Sequence, residues 1–320
     1  MSTLKAGALA IAAVAVAATY VVCRRDIDRS FERIATGSQI VQTRCGPIEY
    51  ASAGEGEPVL AVHGAGGGFD QGMDIAKGLA ASGFRVIAMS RFGYLRTPLA
   101  ADASAAAQAD AHACLLDALG LERAAILGVS AGAPSSMQFA LRHPGRTRAL
   151  VLMVPAAYML RAGGAPSLKT PPGTGFLFDT ALRSDFLFWA AIRLAPRAMI
   201  GSILATPPET VEKADADEQA RVAQLLDHIL PVSPRRTGLV NDAAVVTALP
   251  RYELERIQVP TLVISVADDR FGTFEPARYT AEHIPGARFM GYPTGGHMLA
   301  GHGKEAMAEI AGFLKSASRR

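Results

Sequence analysis

The stretch at residues 124–132, AAILGVSAG, joins an apolar run to a helix-like segment through a serine between two glycines. The apolar run predicts a short buried strand, and residues 133–143 predict a helix. A serine at such a turn is held in a tight backbone conformation that presents its hydroxyl at the solvent end of a sheet. Gly128 and Gly132 are needed because side chains there would collide with the neighbouring strand and helix. The stretch predicts a nucleophilic Ser130, although so short a pattern also arises by chance in a glycine-rich chain.

Short apolar runs alternate with helix-like stretches along most of the chain, which is typical of an α/β fold with a mostly parallel sheet and helices on both faces. An opening hairpin is predicted over residues 38–50. The later strands are predicted at residues 59–63, 84–89, 124–129, 149–154, 261–265 and 287–292, and long helices at residues 103–119 and 304–316.

One segment, residues 157–240, interrupts this alternation between two predicted strands. It is helix-like, and we interpret it as a helical cap inserted in an α/β core formed by residues 26–156 and 241–320. Large apolar residues crowd into the segment, and they are Phe176, Phe178, Phe186, Phe188, Trp189, Met199 and Ile200. They either line an apolar binding pocket or pack the cap against the core, and the sequence leaves both interpretations open.

A histidine and an acid follow two later predicted strands. A serine hydroxyl is a weak nucleophile at neutral pH and needs a base within hydrogen-bond reach. His297, between the last strand and the last helix, is the best candidate base, and the pair Asp268-Asp269 follows the strand at residues 261–265. A carboxylate there would orient the imidazole and stabilise its charged form. Singly, these residues are consistent with a surface histidine and a helix-capping turn, but jointly they favour a catalytic triad with Ser130.

The order serine, aspartate, histidine resembles that of the α/β-hydrolase fold superfamily, and the resemblance covers roughly residues 38–320. In that family the acid follows a strand of the pattern Pro-x-apolar-apolar-apolar by about four residues. Counted from Pro260, the resemblance selects Asp269 as the acid, with Asp268 as the alternative and Asp242 as a third candidate.

The same resemblance implies two backbone donors for the oxyanion of acyl transfer. One is the N–H of Ala131, directly after the nucleophile, and the other is that of Ala65 in the glycine-rich loop at residues 63–68, with Gly66 as its alternative. The loop lacks the glycine spacing and the Lys-Ser/Thr pair of a phosphate-binding loop. Residues 90–97, SRFGYLRT, depart from the family pattern D-x-R-G-x-G-x-S, so we assign no subfamily.

The N-terminus carries an apolar run of 18 residues without a charge, residues 6–23, between Lys5 and Arg24-Arg25. As a helix it would be about 27 Å long, close to the thickness of a bilayer core. We therefore expect a single-pass transmembrane anchor at residues 1–25, with the catalytic part favoured on the cytoplasmic side because basic residues follow the run. A signal peptide cleaved after Ala15-Val16-Ala17, and hence export, is the alternative.

Composition excludes few functions. The chain of 320 residues has a net charge of +3 and no basic run that would indicate nucleic-acid binding. Its three cysteines are widely spaced and predict neither a disulfide framework nor a zinc site. We expect no metal ion and no organic cofactor, and the oligomeric state stays open.

These patterns together predict a membrane-tethered, carboxylesterase-like serine hydrolase that acts on a small apolar ester-like substrate. Ser130, His297 and Asp269 would form its triad, and Ala65 and Ala131 its oxyanion hole. A C–C bond hydrolase of a diketone or a lactonase with the same triad is the alternative. A non-catalytic binding module on the same fold is a more distant one.

Overall fold

All the apolar runs that predict strands lie in one eight-stranded sheet with the order β1-β2-β4-β3-β5-β6-β7-β8. The computed structural model describes residues 2–158 and 182–318, with side chains from residue 13 onward. The strands are β1 (Gln39–Thr43), β2 (Gly46–Ala53), β3 (Glu57–Val62), β4 (Phe84–Met89), β5 (Ala124–Val129), β6 (Thr147–Met153), β7 (Thr261–Val266) and β8 (Arg288–Tyr292). The β1–β2 and β2–β4 pairs are antiparallel and the other pairs are parallel, so the predicted mostly parallel sheet is confirmed.

Helices cover both faces of this sheet. They are α1 (Ser2–Thr36), α2 (Phe69–Ala81), α3 (Ala105–Ala118), α4 (Ala133–Arg142), α5 (Asp185–Leu194), α6 (Pro196–Ser202), α7 (Pro208–Lys213), α8 (Ala216–Asp227), α9 (Arg236–Thr247), α10 (Phe274–His283) and α11 (Gly303–Ala317). Alternate residues of a strand point to opposite faces. Leu60 and Val62 of β3 accordingly join a core with α3, α4 and α10, whereas Val59 and Ala61 join a second core with α2 and α11.

The parallel strands place their carboxyl ends at one edge of the sheet. Strand β3 ends at Val62, before the glycine-rich loop, and β5 ends at Val129, before Ser130. Because β3 and β5 are adjacent in the sheet, the loop and the serine turn lie next to each other. This edge is where ligands bind in open α/β sheets.

Helices α5–α9, called here the helical insert, lie between β6 and β7. They form an apolar cluster of their own, in which Phe188, Trp189 and Met199 are buried. Phe186, by contrast, is about half exposed. Residues 159–181 of the predicted cap, including Phe176 and Phe178, lie outside the described residues. The predicted cap boundary at residue 240 falls inside α9.

The predicted membrane anchor at residues 1–25, and with it the membrane localisation, is wrong. Within residues 2–158 and 182–318, none of the helices combines the length and the apolar character that a membrane span requires. The segment belongs to the longer helix α1, which ends at Thr36. On its C-terminal part Cys23 is buried in the cluster of the helical insert, and Ile34 packs against Phe69 of α2.

Two of the cysteines form a disulfide, which the sequence did not predict. Cys45, in the turn between β1 and β2, bonds to Cys114 on α3, and 69 positions separate them. Cys23 is free and buried. An odd number of widely spaced cysteines gives no pairing pattern, so the bond follows from the packing of α3 under β1.

Reduction of this disulfide should lower the free energy of unfolding by about 4 kcal/mol, because the bond closes a long loop in the unfolded chain. Urea unfolding with and without dithiothreitol measures the difference, and Cys23→Ala protein provides a control in which only the bonded pair can respond. Equal midpoints in the two conditions would contradict a stabilising bond between Cys45 and Cys114.

Candidate active site

Ser130 lies in a strained turn between β5 and α4. Its φ of 49° is in the left-handed region, which is rare for a residue with a side chain and costs on the order of 1–3 kcal/mol. A short 3₁₀ turn, Ser130–Gly132, leads from the strand directly into α4. The serine is only partly buried and lines a cavity, so the turn presents its hydroxyl to a bound molecule.

The two glycines beside Ser130 are required by close contacts. A Cβ on Gly128 would lie 2.4 Å from the hydroxyl of Ser136 on α4. A Cβ on Gly132 would lie 2.5 Å from the carbonyl oxygens of Val62 and His63. The turn therefore fits between the helix and the neighbouring strand only when both positions lack side chains.

His297 connects Ser130 to Asp269. Its Nε2 atom is 2.9 Å from the Ser130 hydroxyl oxygen, and its Nδ1 atom is 2.8 Å from Oδ2 of Asp269. A carboxylate only accepts hydrogen bonds, so we assign the Nδ1–H tautomer, which leaves Nε2 free to accept the serine proton. The ring of Phe271 meets the imidazole edge-on, with 4.9 Å between the ring centroids.

The two adjacent aspartates have different partners. Asp269 is buried, and it accepts hydrogen bonds from His297, from the hydroxyl of Thr273 and from the N–H of Phe271. Asp268 instead accepts the N–H of Gly296 at 2.7 Å, on the loop that carries the histidine. Asp269 thus contacts the side chain of His297, whereas Asp268 binds the backbone of the loop that carries this histidine.

The glycine-rich loop, residues 63–68, leaves the backbone N–H of Ala65 available as a donor at the cavity. The N–H of Gly64 bonds to Oε1 of Gln71 at 2.9 Å, and the N–H of Gly66 bonds to the hydroxyl of Tyr94 at 3.2 Å. Within the described part of the chain, the N–H of Ala65 makes no hydrogen bond. Ala65 lies with Ser130 in the lining of the cavity.

Ala131 supplies a second N–H group beside Ser130. It is the second residue of the short turn that precedes α4, where the first N–H groups of a helix have no intrahelical acceptor. The structure therefore places Ala65 and Ala131, the two predicted donors, on the loop and the turn that flank the serine hydroxyl.

A buried charge network holds the start of the glycine-rich loop. The guanidinium of Arg91 donates to the carbonyls of His63 and Gly64, and it binds both carboxylate oxygens of Asp242 at 2.6 and 2.7 Å. The Tyr94 hydroxyl donates to the same carboxylate, and burial raises its pKa well above the ordinary value. Asp242, the third candidate acid, therefore supports the loop and does not contact His297.

His63 takes part in this network as a neutral residue. Its Nδ1 atom lies 2.7 Å from the Gly64 carbonyl, and its Nε2 atom accepts the N–H of Arg91 at 3.0 Å. Burial lowers its pKa well below the ordinary value, and the nearby Arg91 lowers it further. The imidazole is therefore a structural part of the loop.

A cavity of about 550 Å³ extends from Ser130 to the surface between α2, α8 and α11. Most side chains of its described lining are apolar, among them the aliphatic and aromatic side chains Val154, Leu182, Leu204, Leu225, Ile229, Leu239 and Phe271. Of the predicted apolar cluster, the members within the described residues do not line it, and Phe188 and Trp189 pack inside the helical insert. Those residues therefore stabilise the insert, and other residues form the apolar pocket.

The cavity has a charged mouth. Its basic residues in the described lining are Lys77, Arg221 and Lys304. Arg221 pairs with Glu218 at 2.8 Å and Lys304 pairs with Asp217 at 2.7 Å, whereas Lys77 is exposed on α2. In the parts of the chain that the structure describes, no group of three or more His, Cys, Asp or Glu residues is arranged to hold a metal ion.

Comparison with known proteins places this geometry in a family. The chain matches the family model of the alpha/beta hydrolase fold over residues 57–301. The chain belongs to the α/β-hydrolase family. The resemblance predicted from the sequence is therefore confirmed, and this α/β-hydrolase is a hydrolytic enzyme by family.

Two curated relatives and one solved structure show how closely this α/β-hydrolase resembles known members. A 2-hydroxy-6-oxononadienedioate/2-hydroxy-6-oxononatrienedioate hydrolase from Paraburkholderia xenovorans (strain LB400) is 33% identical over 254 residues, which cover 75% of this chain and 79% of that protein. The uncharacterized hydrolase YcgS from Bacillus subtilis (strain 168) is 26% identical and covers 85% of this chain and 96% of its own length. An alpha/beta hydrolase fold protein from Nakamurella multipartita superposes with a TM-score of 0.75 at 30% identity, covering 88% of this chain and 99% of that chain.

Sequence reasoning missed the residues that support the loop. Arg91 and Tyr94 occupy variable positions of the family pattern at residues 90–97 and were not singled out, and Asp242 was considered only as a third candidate acid. Arg91 and Asp242 are 151 positions apart, so no local pattern predicts that they pair.

A methyl group at Gly132 should disturb both the fold and the site, because it would meet two backbone oxygens that cannot move aside. Gly132→Ala is expected to lower the free energy of unfolding by about 1–3 kcal/mol and to abolish labelling of Ser130 by a fluorophosphonate. The matched control is Gly312→Ala, at an exposed position of α11 with open space around the added methyl. The control should leave labelling unchanged and stabilise the helix by up to about 1 kcal/mol. A Gly132→Ala protein with unaltered labelling and stability would contradict the contact argument.

Proposed function

We propose that this α/β-hydrolase is a serine hydrolase that cleaves a carboxylic ester, or a related acyl bond, of an apolar small molecule. One observation carries the proposal, the hydrogen-bonded series from the Ser130 hydroxyl through His297 to Asp269 at the inner end of the cavity. A nucleophile, a base and an orienting carboxylate at these distances form the arrangement that acyl transfer needs.

The reaction follows from the positions of these groups. His297 accepts the hydroxyl proton at Nε2 while the oxygen of Ser130 attacks the carbonyl carbon, and Asp269 stabilises the imidazolium that forms. The N–H groups of Ala65 and Ala131 donate to the oxyanion of the tetrahedral intermediate, and each such donor contributes about 10²–10³ in kcat. The imidazolium then returns its proton to the leaving alcohol, and a water molecule hydrolyses the acyl-enzyme by the same steps.

The chemistry of the lining supports an apolar substrate. Most side chains of the described lining are aliphatic or aromatic, and burial of such surface gives about 25 cal/mol per Å² of apolar area. Of its three basic side chains, Arg221 and Lys304 are already paired with carboxylates and offer little to an anionic substrate, whereas Lys77 is exposed on α2. In this proposal the helical insert is the cap that covers the site.

A second candidate is hydrolysis of a C–C bond in a diketone-like substrate by the same triad. Curated relatives favour it, among them the dienedioate hydrolase from Paraburkholderia and a 2-hydroxy-6-oxo-6-phenylhexa-2,4-dienoate hydrolase from Burkholderia cepacia that is 26% identical over 275 residues. Substrates with those names carry carboxylate groups, whereas most side chains of the described lining are apolar, and its Arg221 and Lys304 are paired with carboxylates. For this reason we rank the apolar ester first.

A labelling experiment followed by a substrate panel tests the proposal. A fluorophosphonate should label the wild type and Ser82→Ala, which changes a half-buried serine of the cavity lining, but not Ser130→Ala. p-Nitrophenyl esters of increasing chain length should then be hydrolysed, and the medium chains fastest because they fill the apolar cavity. Turnover of a vinylogous diketone without turnover of any ester would establish the second candidate instead. Absence of labelling in folded wild type would favour a non-catalytic binding module.

The two adjacent aspartates should respond differently to the same substitution. Asp269→Asn is expected to lower kcat by about 10⁴, because an amide cannot stabilise the imidazolium and favours the wrong tautomer. Asp268→Asn should stay within about tenfold of the wild type, because its amide oxygen still accepts the Gly296 N–H. Steady-state kinetics on the best p-nitrophenyl ester measures both, and a reversed order of the two losses would assign the acid to Asp268.

A further inference from the structure

A buried carboxylate at the end of the glycine-rich loop binds two arginines. Asp70, in the first turn of α2, accepts Arg235 at 2.6 and 3.0 Å and also accepts Arg33. Burial alone would raise the pKa of the Asp70 carboxyl, but Arg235 and Arg33 lower it well below the ordinary value. The three side chains are therefore charged together, and we call them the arginine–aspartate cluster.

This cluster fixes the loop at the end opposite to Arg91. Arg235 donates to the carbonyl oxygen of Gly67 at 2.6 Å through the same nitrogen that binds Asp70. Gly67 is two residues from Ala65, the proposed oxyanion donor. A loop made mostly of glycine has few side chains to pack and much backbone entropy to lose, so these hydrogen bonds determine its conformation.

Arg33 brings helix α1 into the cluster. Besides Asp70, it donates to the carbonyls of Leu230 at 2.5 Å and of His228 at 3.3 Å, in the segment that follows α8. Helix α1 ends at Thr36, before the family-model match begins at residue 57, so Arg33 lies outside the matched part of the chain.

One face of α1 docks on both parts of the molecule. The residues of this face recur at helical spacing and are Cys23, Asp26, Ile27, Ser30, Arg33 and Ile34. Asp26 accepts the indole N–H of Trp189 at 2.9 Å in the helical insert, while Ile34 packs on Phe69 beside Asp70. The helix therefore contacts the insert near Asp26 and the loop's support about two turns later, at Arg33 and Ile34.

We propose that α1 is a positioning element of the catalytic site and that Arg33 is its positioning residue, which acts on Ala65 through Asp70, Arg235 and Gly67. This inference rests on the proposed function, because it assigns the loop a role in binding the oxyanion. Without Arg33, Asp70 loses one of its two cations and two partly buried carbonyls lose a donor. Arg235 and the attached loop are then free to shift, and displacement of a catalytic group by about 1 Å costs roughly 10²-fold in rate.

The test compares Arg33→Met, Arg33→Lys and Arg24→Met in the full chain. Arg24 is the matched control, since it lies on the same helix and meets only the exposed Asp28 at 3.9 Å. Arg33→Met should lower kcat for p-nitrophenyl butyrate by about 10- to 100-fold with KM within about twofold, as expected for an interaction made only in the transition state. Affinity for phenylboronic acid, which forms a tetrahedral adduct with the serine, should fall by a similar factor. Arg33→Lys should recover part of kcat, and Arg24→Met should match the wild type.

Cys23 separates a positioning role from simple loss of structure. It is the one thiol outside the disulfide among the three cysteines, and it is buried between α1 and the insert. Its reaction with a disulfide reagent should stay slow in Arg33→Met, which shows that α1 is still docked. A kcat within twofold of the wild type, or a loss of kcat accompanied by fast thiol labelling and no rescue by lysine, overturns the inference. Wild-type turnover and labelling decide the proposed function separately, so the two failures are distinguishable.

Discussion

The geometry of the site depends on close backbone contacts of the Ser130 turn with the end of β3 and with the glycine-rich loop. Glycines at these contacts leave no side chains in between. The turn at Ser130 is held in a left-handed conformation, and Gly132 lies against the backbone oxygens that end β3. The glycine-rich loop approaches from the other side, where a Cβ on Gly64 would be 3.1 Å from the Cβ of Ser130. The parallel pairing of β3 with β5 sets the distance between the loop and the turn, so this pairing maintains the strained conformation of Ser130. His297 and Asp269 are then placed by the next strands along the same edge.

Buried ion pairs fix the conformation of the glycine-rich loop, which the hydrophobic cores do not contact enough to fix. The cores on the two sheet faces fix the strands, but the loop that follows β3 has little apolar surface to bury. Arg91 with Asp242 and Arg235 with Asp70 take this role, each arginine donating to a carbonyl of the loop as well as to its carboxylate. Burial of charges is costly unless their hydrogen bonds are satisfied, and here each guanidinium has several acceptors. The free-energy cost of burying these charges indicates that the pairs serve to fix one loop conformation and not only to stabilise the fold.

The sequence predicts the sheet and the positions of Ser130, Asp269 and His297 because local signals specify them, namely apolar runs, glycines and the strand ends they mark. It does not predict the loop's ionic support, because Arg91 and Asp242 lie 151 positions apart, Arg235 and Asp70 lie 165 apart, and the pairs share no sequence pattern. The prediction of a membrane anchor was wrong because a long apolar run indicates a membrane span when the residues that continue the helix are not considered. The helical spacing of Cys23, Ile27 and Ile34 after that run was the available sign of docking on a protein surface.

The lack of side chains in the glycine-rich loop has a consequence for how activity at this site can vary. Backbone N–H groups are the same whatever residue carries them, so substitution cannot tune the donor itself and most replacements of the glycines would only obstruct it. Variation can act instead on the residues that hold the loop, and these come from α1, α2, the segment after β4 and the chain around α9. A mutational scan confined to the cavity lining would therefore overlook the positions through which adaptation of the oxyanion site is most accessible.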